Sequence, residues 1–414
     1  MRRALTSTSA ASLPYAGRPP RGGAVPSHRF RDGAVGAGGR LNWTAVEATG
    51  VPYHVVRDRP PKVLSAMSGG VDSSMATMLL REGGFEVVGT MARFWPDDCR
   101  DGAFDLCCSP QAAYDARRVA DRVDVPFYLL DFRERFQEIV VDPFVPSYEA
   151  GETPNPCVWC NRHIKFGAFV TRAQALGCDF MATGHYVRRV DGPDGVELHR
   201  GADDDKDQTY FLWALPREIL PYLLFPLGEL TKGEVRALAA ERGLAVADKR
   251  SSSGLCFIPD TVNAYLQEAS VERPGPVVDA SRGYAVVGEH RGVQFYTVGQ
   301  KRGLGLYKSH LERFVVELRP AENTVVVGPK AMCYWRGLEA ARSNFLVDAS
   351  DLPERVQAQV RYRQAPVPAR LDRTAEGFRL EFDEPQFAVT VGQSAVLYDA
   401  DRLLGGGIIR RRST

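Results

Sequence analysis

A glycine-rich turn between an apolar run and a helical stretch is the feature that most constrains the fold of this chain. The turn reads Ser-Gly-Gly-Val-Asp-Ser-Ser at 68–74, after the apolar run 63–67 and before the apolar-rich stretch 75–80. Such a turn presents backbone N–H groups and the positive end of a helix to an anion. Its glycines allow the backbone to approach closely, and its serines add hydroxyl donors. The pattern therefore predicts a phosphate-binding loop.

The ending of this turn excludes the most common nucleotide-binding loop. P-loop NTPases end theirs in Gly-Lys-Ser or Gly-Lys-Thr because the lysine binds phosphates, and no lysine stands there in this chain. The residues resemble instead the PP-loop of the ATP pyrophosphatases, which split ATP into AMP and pyrophosphate. The simpler alternative is a glycine turn that only packs a helix on a sheet.

Apolar runs and helical stretches alternate after the turn, and a capping box at Thr231 and Glu234 predicts a later helix. We therefore predict an α/β fold class, with a Rossmann-like PP-loop domain built on a parallel sheet. The carboxyl ends of its strands would bring the turn, Ala92 and Gly184 to one edge. The predicted strands are 63–67, 86–92, 125–130 and 179–185, and the predicted helices are 73–82, 110–123 and 161–176.

The length of 414 residues is too great for one ordinary core, so several domains are expected. Residues 1–60 are rich in arginine, glycine, proline and serine, which is typical of a disordered extension or a mis-assigned start, with a transit peptide as a further interpretation. We expect the catalytic PP-loop domain at 61–270 and a small central β-rich domain at 271–338. Short β runs near the C-terminus predict a β-barrel at 339–414.

The composition is that of a soluble globular protein, with 44% hydrophobic and 25% charged residues. A net charge of +1 announces no polyanion partner, although it leaves room for a local basic face. No uninterrupted apolar stretch is long enough for a membrane helix. We therefore expect a cytoplasmic protein with no membrane contact, and a monomer.

Three of the eight cysteines stand in a context that suggests chemistry. Cys157 and Cys160 form a C-x-x-C pair after a proline-fixed turn, and Cys256 lies in a glycine- and serine-rich loop. We expect Cys160 at the N-terminus of a helix, where the dipole and Arg162 would lower the pKa of its thiol. The alternative for Cys256 is an inert, buried loop thiol.

A C-x-x-C pair by itself is ambiguous among a redox pair, half of a zinc site and coincidence. A zinc site would need two further ligands, which Cys107, Cys108 or His163 could supply, but no second C-x-x-C appears. The isolated Cys178 and Cys333 are interpreted as buried thiols that act as small hydrophobic residues. The absence of a secretory signal indicates reduced thiols rather than a disulfide framework.

Taken together, the motifs resemble those of the tRNA-specific 2-thiouridylases. The resemblance spans residues 62–411 in collinear order. It rests on eight motifs: SGGVDSS, TPNPCVWCNRHIKF, ATGHY, KDQTYF, SSSGLCFI, TVGQKRGLG, RYRQ and GQSAVLYD with LGGGII. It implies a PP-loop domain, a central domain and a β-barrel that together embrace the anticodon arm of tRNA.

The resemblance implies that the enzyme uses ATP and Mg²⁺ to adenylate O2 of the wobble uridine. Asp72 would act near the phosphates, as a base or through Mg²⁺, and an ordinary helix cap is the plain alternative. The implied ATP-binding residues are Ala66, Met67, Ser68, Gly69, Gly70, Val71, Asp72, Ser73, Ala92 and Gly184.

The resemblance also implies two catalytic thiols. Cys256 would carry a persulfide from a partner sulfur-donor protein, and Cys160 would be the nucleophile that breaks the S–S bond and ends in a Cys160–Cys256 disulfide. A target base swung out of its stack fits recognition of an anticodon loop. The implied tRNA-binding residues are Asn155, Pro156, Cys157, His185, Lys206, Asp207, Gln208, Arg361, Tyr362 and Gln393. For 206–208, a solvated turn is the alternative.

One position departs from the family pattern and leaves the mechanism open. Many members have Asp where this chain has Cys157, so three thiols could converge on one site. Cys157, Cys160 and Cys256 could then hold a [4Fe–4S] cluster with one open iron position, as in related thiolases. Two other classes compete with thiolation: another AMP-forming PP-loop ligase or amidating enzyme, and a non-enzymatic metal- or RNA-binding module.

Overall fold

A computed structural model describes residues 59–95, 109–249, 254–307 and 312–413. Most of the expected N-terminal extension therefore lies outside the described residues. So do Cys99, Cys107 and Cys108, and with them the zinc ligands that the latter two could have supplied. Within the described part of the chain, no helix combines the length and the apolar character that crossing a membrane requires.

The strands and helices are numbered in chain order. The strands are β1 Lys62–Ala66, β2 Glu86–Arg93, β3 Phe127–Asp131, β4 Phe180–Thr183, β5 Val187–Gly192, β6 Gly195–Arg200, β7 Leu223–Leu224, β8 Gly275–Asp279, β9 Ala285–His290, β10 Phe314–Arg319, β11 Thr324–Gly328, β12 Tyr334–Phe345, β13 Arg355–Gln359, β14 Val367–Arg373, β15 Gly377–Phe387, β16 Ser394–Asp399 and β17 Arg402–Ser413. The α-helices are α1 Val71–Glu82, α2 Pro110–Arg122, α3 Arg133–Phe136, α4 Phe144–Glu149, α5 Pro156–Cys160, α6 Phe169–Ala175, α7 Lys232–Glu241 and α8 Val262–Ala269.

A five-stranded parallel sheet forms the first part of the molecule, in the order β3-β2-β1-β4-β7. Buried side chains of α1, α2 and α7 share one core with β1 and β2, which confirms the α/β prediction. Local signals fix the helix starts. Ser109 caps α2 by accepting from the N–H of Ala112 at 3.2 Å, and Thr231 and Glu234 form the predicted capping box of α7.

The second part is a four-stranded sheet in the order β10-β11-β8-β9, with one parallel pair between β11 and β8. The third is a closed six-stranded barrel, β12-β15-β14-β13-β16-β17, which pairing of β12 with β17 completes. The central β-rich domain and the C-terminal barrel expected from the sequence are thus both present. The expected domain limit between residues 338 and 339 falls within β12, so we propose to place it before Tyr334.

The barrel is joined to the parallel-sheet domain by shared packing. The hairpin β5–β6 adds to the barrel at a pairing of His199 with Arg402. Trp213 is fully buried, and its indole N–H donates to the hydroxyl of Ser394 at 3.0 Å. The side-chain amide of Asn344 in β12 donates to the carbonyl of Trp213 at 2.8 Å. Because these contacts combine burial with hydrogen bonds, the barrel has a defined place relative to the parallel sheet.

Candidate active site

The predicted phosphate loop lies at the carboxyl edge of the parallel sheet. Ala66, the last residue of β1, pairs with Thr90 of β2 and with Thr183 of β4. Ala92 and Gly184 follow these partners, so the predicted meeting of the turn with Ala92 and Gly184 at one edge is confirmed. Parallel α/β sheets bind ligands at this edge.

Close backbone contacts leave no space for a side chain at two positions of this edge, Gly69 and Gly184. Gly69 has φ +67°, and a Cβ there would lie 2.1 Å from the carbonyl oxygen of Ala112. A Cβ on Gly184 would lie 2.7 Å from the backbone nitrogen of Ser73. The turn is therefore packed tightly between the start of α2 and the end of β4, and only glycine fits at these two places.

The start of α1 is built to receive an anion. No side chain caps it at Gly70, which leaves the N–H groups of the first helical turn facing the loop. The hydroxyl of Ser73 accepts from the N–H of Ser68 at 2.9 Å and lies 3.1 Å from the Ser68 hydroxyl. The buried hydroxyl of Ser74 has no hydrogen-bond partner among the described residues.

Asp72 is half of a partly buried ion pair. Its Oδ1 lies 2.5 Å from the ammonium group of Lys232, and the hydroxyl of Tyr186 donates to the same oxygen at 2.7 Å. Burial, with the carboxylate alongside, raises the pKa of Tyr186, so this hydroxyl remains a donor. The Lys232 side chain is only 11% exposed and that of Asp72 is 33% exposed. The two donors fix the orientation of the Asp72 carboxylate and hold it beside a positive charge.

Two lysines at the loop, Lys232 and Lys249, were not identified from the sequence. Lys232 is the first residue of α7, and its only sequence signal is the capping box that begins this helix. The ammonium group of Lys249 donates to the carbonyl of Gly69 at 3.1 Å and to Asp115 at 2.7 Å. No local pattern marked Lys249, because its partners lie far away in the chain.

The helix that carries the C-x-x-C pair begins earlier than expected, and the prediction for Cys160 is wrong. Proline is favoured at the first helical position, and α5 starts at Pro156 with Asn155 as its N-cap. Cys157 is the second helical residue, whereas Cys160 is the last residue of α5, and the helix continues as the π-helical stretch Asn161–Ala168. The guanidinium of Arg162 donates to the carbonyl of Ala214. The helix dipole therefore acts mainly on Cys157.

The structure brings Cys160 and Cys256 to the same small apolar cluster. Cys160 is buried with Phe136, Val140 and Ile164, and Cys256 packs against this cluster from a distant part of the chain. In the described structure the two residues are separate thiols, not a disulfide. Two thiols from distant parts of the sequence are thus brought to one cluster.

The described residues do not form a metal site. No group of three His, Cys, Asp or Glu side chains within the four described ranges lies close enough to hold a metal ion. Cys157 is half-buried and lies close enough to Tyr362 to influence the pKa of that phenol, which burial raises. The donor set expected for a [4Fe–4S] cluster is thus not assembled here. Cys178 and Cys333 are buried, and burial raises the pKa of each thiol.

The segment 206–208, predicted to contact tRNA, is a hydrogen-bonded turn. Asp207 is buried and accepts from the N–H and the hydroxyl of Thr209 and from the guanidinium of Arg200. The side-chain carbonyl of Gln208 accepts from the N–H of Tyr186 at 3.0 Å. Lys206 is partly buried beside them. Asp207 and Gln208 therefore stabilise the loop after β6, and Lys206 is the cationic member of the segment.

The barrel residues predicted to contact tRNA have partners inside the protein. Arg361 donates to the carbonyl of Ala388 at 2.6 Å, and its chain neighbour Tyr362 lies 4.4 Å from Phe211 between ring centroids. The side-chain amide of Gln393 donates to the carbonyl of Thr153 at 3.0 Å. Gln393 thus ties the barrel to the segment just before α5, whereas Tyr362 packs against the ring of Phe211.

His185 is a neutral side chain that directly follows Gly184. Burial, assisted by the charge of Lys165, lowers its pKa to about 3. Its Nδ1 lies 2.7 Å from the Thr183 hydroxyl, and its ring lies near Phe166 and Phe225. A neutral imidazole can donate or accept a hydrogen bond but brings no positive charge to a phosphate.

Comparison with known proteins gives matches along most of the described chain. Family models match at 61–260 for a tRNA methyl transferase HUP domain, at 263–329 for a tRNA methyl transferase PRC-barrel domain and at 335–409 for an aminomethyltransferase beta-barrel domain. The tRNA-specific 2-thiouridylase MnmA of Deinococcus radiodurans is 58% identical over 84% of this chain and 92% of its own length. The protein of the same name from Thermus thermophilus is 54% identical over 84% of this chain and 95% of its own length.

The chain also matches solved structures at lower sequence identity. The U34-tRNA thiolase NcsA from Methanococcus maripaludis, with its [4Fe–4S] cluster, is 16% identical and has a TM-score of 0.33. The match covers 55% of this chain and 68% of the thiolase chain. A match at this level carries no argument about the chemistry of the site.

Proposed function

Because the chain belongs to the family of tRNA-specific 2-thiouridylases, it is a tRNA uridine sulfurtransferase that forms 2-thiouridine, and we propose how its residues divide this reaction. The observation that carries the proposal is the packing of Cys256 against the cluster that contains Cys160. The phosphate loop at the carboxyl edge of the sheet carries out the earlier step, in which ATP activates the uridine. The substrate position is the wobble uridine, U34.

The loop at 66–73, with backbone contacts from Ala92 and Gly184, binds ATP. The uncapped N–H groups of α1 and the hydroxyls at Ser68 and Ser73 offer donors to the phosphates. O2 of the uridine attacks the α-phosphorus, pyrophosphate leaves, and the oxygen becomes part of an AMP leaving group. Activation is needed because an oxygen bound to C2 of a urea-like ring is a poor leaving group on its own.

Asp72 is the residue that would hold Mg²⁺. Mg²⁺ takes one or two carboxylates from a protein and completes its shell with phosphates and water. Oδ1 of Asp72 already accepts from Lys232 and Tyr186, so Oδ2 of this partly exposed carboxylate is the oxygen suited to the ion. The ion would supply charge neutralisation to the departing pyrophosphate.

Sulfur transfer uses the two thiols that share a cluster. A partner protein delivers a persulfide to Cys256, and the terminal sulfur attacks C2 while AMP leaves with the original O2. The base is then linked to Cys256 through an S–S bond. The Cys160 thiolate attacks the sulfur of Cys256, the bond electrons go to the sulfur on C2, and a Cys160–Cys256 disulfide remains. A thiol reductant must supply two electrons before the next turnover.

The tRNA-binding residues named from the resemblance remain a proposal. Asn155, Pro156 and Cys157 stand at the start of α5, one helical turn before Cys160, which is a suitable place to contact the flipped base. His185 would offer a neutral hydrogen bond, and Lys206 a charge. The other members, whose side chains have partners inside the protein, would reach tRNA through their remaining donors or their ring faces. They are Asp207, Gln208, Arg361, Tyr362 and Gln393.

The cluster route receives no support from the arrangement of thiols. Cys157, Cys160 and Cys256 do not gather as a donor set within the described ranges, so we derive no step through [4Fe–4S]. The persulfide route needs only that Cys256 and Cys160 meet. Their common contacts with one apolar cluster favour this route.

The decisive experiment separates activation from sulfur transfer. Purified Cys256→Ala, Cys160→Ala and Cys178→Ala variants are mixed with unmodified tRNA, ATP and a persulfide donor. We measure tRNA-dependent pyrophosphate release and 2-thiouridine formation in parallel. Cys256→Ala and Cys160→Ala should release pyrophosphate in the first turnover but form no 2-thiouridine. Cys178→Ala, a buried thiol remote from the cluster, is the matched control and should do both.

Two outcomes would contradict the proposal. Thiolation by Cys256→Ala would show that Cys256 does not carry the persulfide. Pyrophosphate release at the full rate without tRNA would show that the uridine is not the group that is adenylated. A mass-spectrometric search for the Cys160–Cys256 disulfide after one turnover without reductant provides an independent readout.

A further inference from the structure

Asn161, the residue directly after Cys160, has a buried side-chain oxygen without a hydrogen-bond partner. The residue is 2% exposed, and its Oδ1 meets no donor in the part of the chain that the structure describes. Buried polar atoms of folded proteins are nearly always paired, because an unpaired acceptor loses its bonds to water and gains none in return. The oxygen is therefore a place for a donor that the chain itself does not supply, either a water or a ligand.

The nitrogen end of the same amide fixes its orientation. Nδ2 of Asn161 donates to the carbonyl oxygen of Phe211 at 3.2 Å. A carbonyl oxygen cannot donate, so the nitrogen has to face Phe211 and Oδ1 has to be the free end. The site at Oδ1 accepts hydrogen bonds and cannot become a donor by turning the amide over without losing the bond to Phe211.

The neighbours of Asn161 are residues that we proposed to contact the target base. The backbone N–H of Asn161 donates to the carbonyl of Cys157, one helical turn earlier, so the two residues share a face of the helix. Cys157 lies close to Tyr362, whose ring centroid is 4.4 Å from that of Phe211. Cys157, Phe211 and Tyr362 are each only partly buried. The unpaired oxygen thus belongs to the same group of residues as the proposed base contacts.

The helix changes its geometry at this residue. The α-helix α5 ends at Cys160, and the π-helical stretch begins at Asn161. π-Helical turns are rare and occur frequently at functional sites. The change in helix type and the unpaired oxygen therefore coincide at the residue next to the proposed nucleophile.

The chemistry at C2 cannot by itself distinguish uridine from cytidine. Both bases carry the O2 that would be adenylated, on the same carbon. They differ at N3, the ring atom bonded to C2, where uracil has an N–H donor and cytosine has a lone pair. A fixed carbonyl acceptor pairs with uracil, whereas cytosine would bring a second acceptor against it. A site built for a hydrogen bond rejects an analogue that lacks the matching group, because its own buried polar atom is then left unpaired.

We propose that Oδ1 of Asn161 accepts a hydrogen bond from N3–H of the target uridine and so selects uridine over cytidine. The inference rests on the proposed function, since it requires C2 of a flipped uridine beside Cys160. Recognition and sulfur transfer then concern adjacent ring atoms, as Asn161 and Cys160 are adjacent residues. The entering base has to displace partly buried side chains such as Tyr362, and burial strengthens the hydrogen bond once it has formed.

The test compares two transcripts of one tRNA that differ only by U or C at position 34. Thiolation and tRNA-dependent pyrophosphate release are measured for the wild type and Asn161→Ala, and kcat/KM is obtained for each transcript. We expect the ratio of kcat/KM for U34 over C34 to fall at least about tenfold in Asn161→Ala. If Asn161→Ala does not fold, Asn161→Leu, which fills the space without a polar atom, replaces it.

A third substrate, tRNA with N3-methyluridine at position 34, examines the same contact from the side of the base. The methyl group removes the donor and occupies the space next to Oδ1. The wild type should therefore use this tRNA at least about tenfold less well than U34 tRNA. Asn161→Ala, which lacks the oxygen and has room for the methyl group, should use the two more nearly equally.

Asn344→Ala is the matched control. The side-chain amide of Asn344 donates to the carbonyls of Trp213 and Leu215, both at 2.8 Å, and so holds the segment that follows Phe211. It does this from β12 of the barrel. Its variant loosens the same segment but keeps Asn161, so its preference for U34 over C34 should equal that of the wild type.

The inference is overturned if folded Asn161→Ala keeps the wild-type preference for U34 over C34, which would leave a water as the donor to Oδ1. It is also overturned if Asn344→Ala loses the preference to the same extent. Failure of the proposed function would look different, because the wild type would then release pyrophosphate equally with U34 tRNA, with C34 tRNA and without tRNA.

Discussion

The side-chain amide of Gln393, in the C-terminal barrel, donates a hydrogen bond to the carbonyl oxygen of Thr153 at 3.0 Å. The backbone adds a second bond nearby, from the N–H of Thr153 to the carbonyl of Val391 at 2.9 Å. Arg410 of the barrel pairs with Glu152 at 2.7 Å. Three contacts from the last domain thus hold the residues just before α5, which gives the barrel a part in placing the helix that carries Cys157 and Cys160.

We expect Gln393→Glu to impair the enzyme more than Gln393→Ala. A carboxylate at this place would face the Thr153 carbonyl without a donor, which costs about 1–3 kcal/mol of folding free energy. The rate of single-turnover thiolation at saturating tRNA reports whether α5 is still correctly placed, and urea unfolding measures stability. Gln267→Glu, on an exposed face of α8, is the control. An unchanged thiolation rate, with a weaker tRNA affinity alone, would leave Gln393 as a tRNA contact and nothing more.

Gly184→Ala should raise the KM for ATP and lower stability. The added Cβ would lie 2.7 Å from the backbone nitrogen of Ser73, so the start of α1 must shift. Overpacking of this kind costs about 1–3 kcal/mol. Gly233→Ala is the control, since the nearest atom to its Cβ would be 3.9 Å away. ATP-dependent pyrophosphate release and thermal unfolding check both parts, and normal ATP kinetics in Gly184→Ala would disprove the close-contact argument.

Lys232→Met should weaken ATP use and stability together, whereas the double variant Asp72→Asn/Lys232→Met should regain stability alone. Removing Lys232 leaves a partly buried carboxylate supported only by Tyr186 among its described hydrogen-bond donors. Because Asp72 is one-third exposed, the cost is expected to be about 1 kcal/mol rather than that of a fully buried charge. Urea unfolding and pyrophosphate release are the measurements. If the double variant regained activity, neither charge would serve the nucleotide.

The stability of the protein should fall in acid partly because of His185. Its pKa is lowered to about 3 in the folded protein, below its ordinary value of 6.5. Between these two pKa values the unfolded chain binds a proton at His185 and the folded chain does not. The free energy of unfolding is therefore highest above pH 6.5, and it decreases as the pH falls toward the folded-state pKa. At pH 5 the loss is at most about 2 kcal/mol. Urea unfolding of the wild type and of His185→Gln at pH 7 and pH 5 tests this. Parallel losses in both proteins would refute it.

Cys157→Ala should retain most of the thiolation activity. The persulfide route that we propose uses the thiols of Cys256 and Cys160 alone, so the reaction is expected to run without the Cys157 thiol. Anaerobic purification followed by iron and sulfide measurement is paired with thiolation assays of the wild type and Cys157→Ala. Stoichiometric iron that disappears together with activity in Cys157→Ala would establish the cluster route instead.

Local sequence determined the elements of this protein. The alternation of apolar runs predicted the parallel strands, the glycine turn at 68–74 predicted an anion-binding loop at the sheet edge, and Thr231 with Glu234 predicted the start of α7. Each of these signals depends on neighbouring residues, because strand, turn and cap preferences are set by backbone geometry over a few positions. The order of eight motifs was enough to indicate the family.

The tertiary structure decided which side chains act together. Lys249 reaches Gly69, Cys256 joins the cluster of Cys160, and Gln393 holds Thr153, and every one of these pairs is far apart in the chain. No local pattern encodes such a contact, because it forms only when packed cores bring distant segments within hydrogen-bond range. The sequence by itself thus predicted a phosphate-binding loop and a set of reactive thiols, while the fold determined that Cys160 and Cys256 contact one apolar cluster.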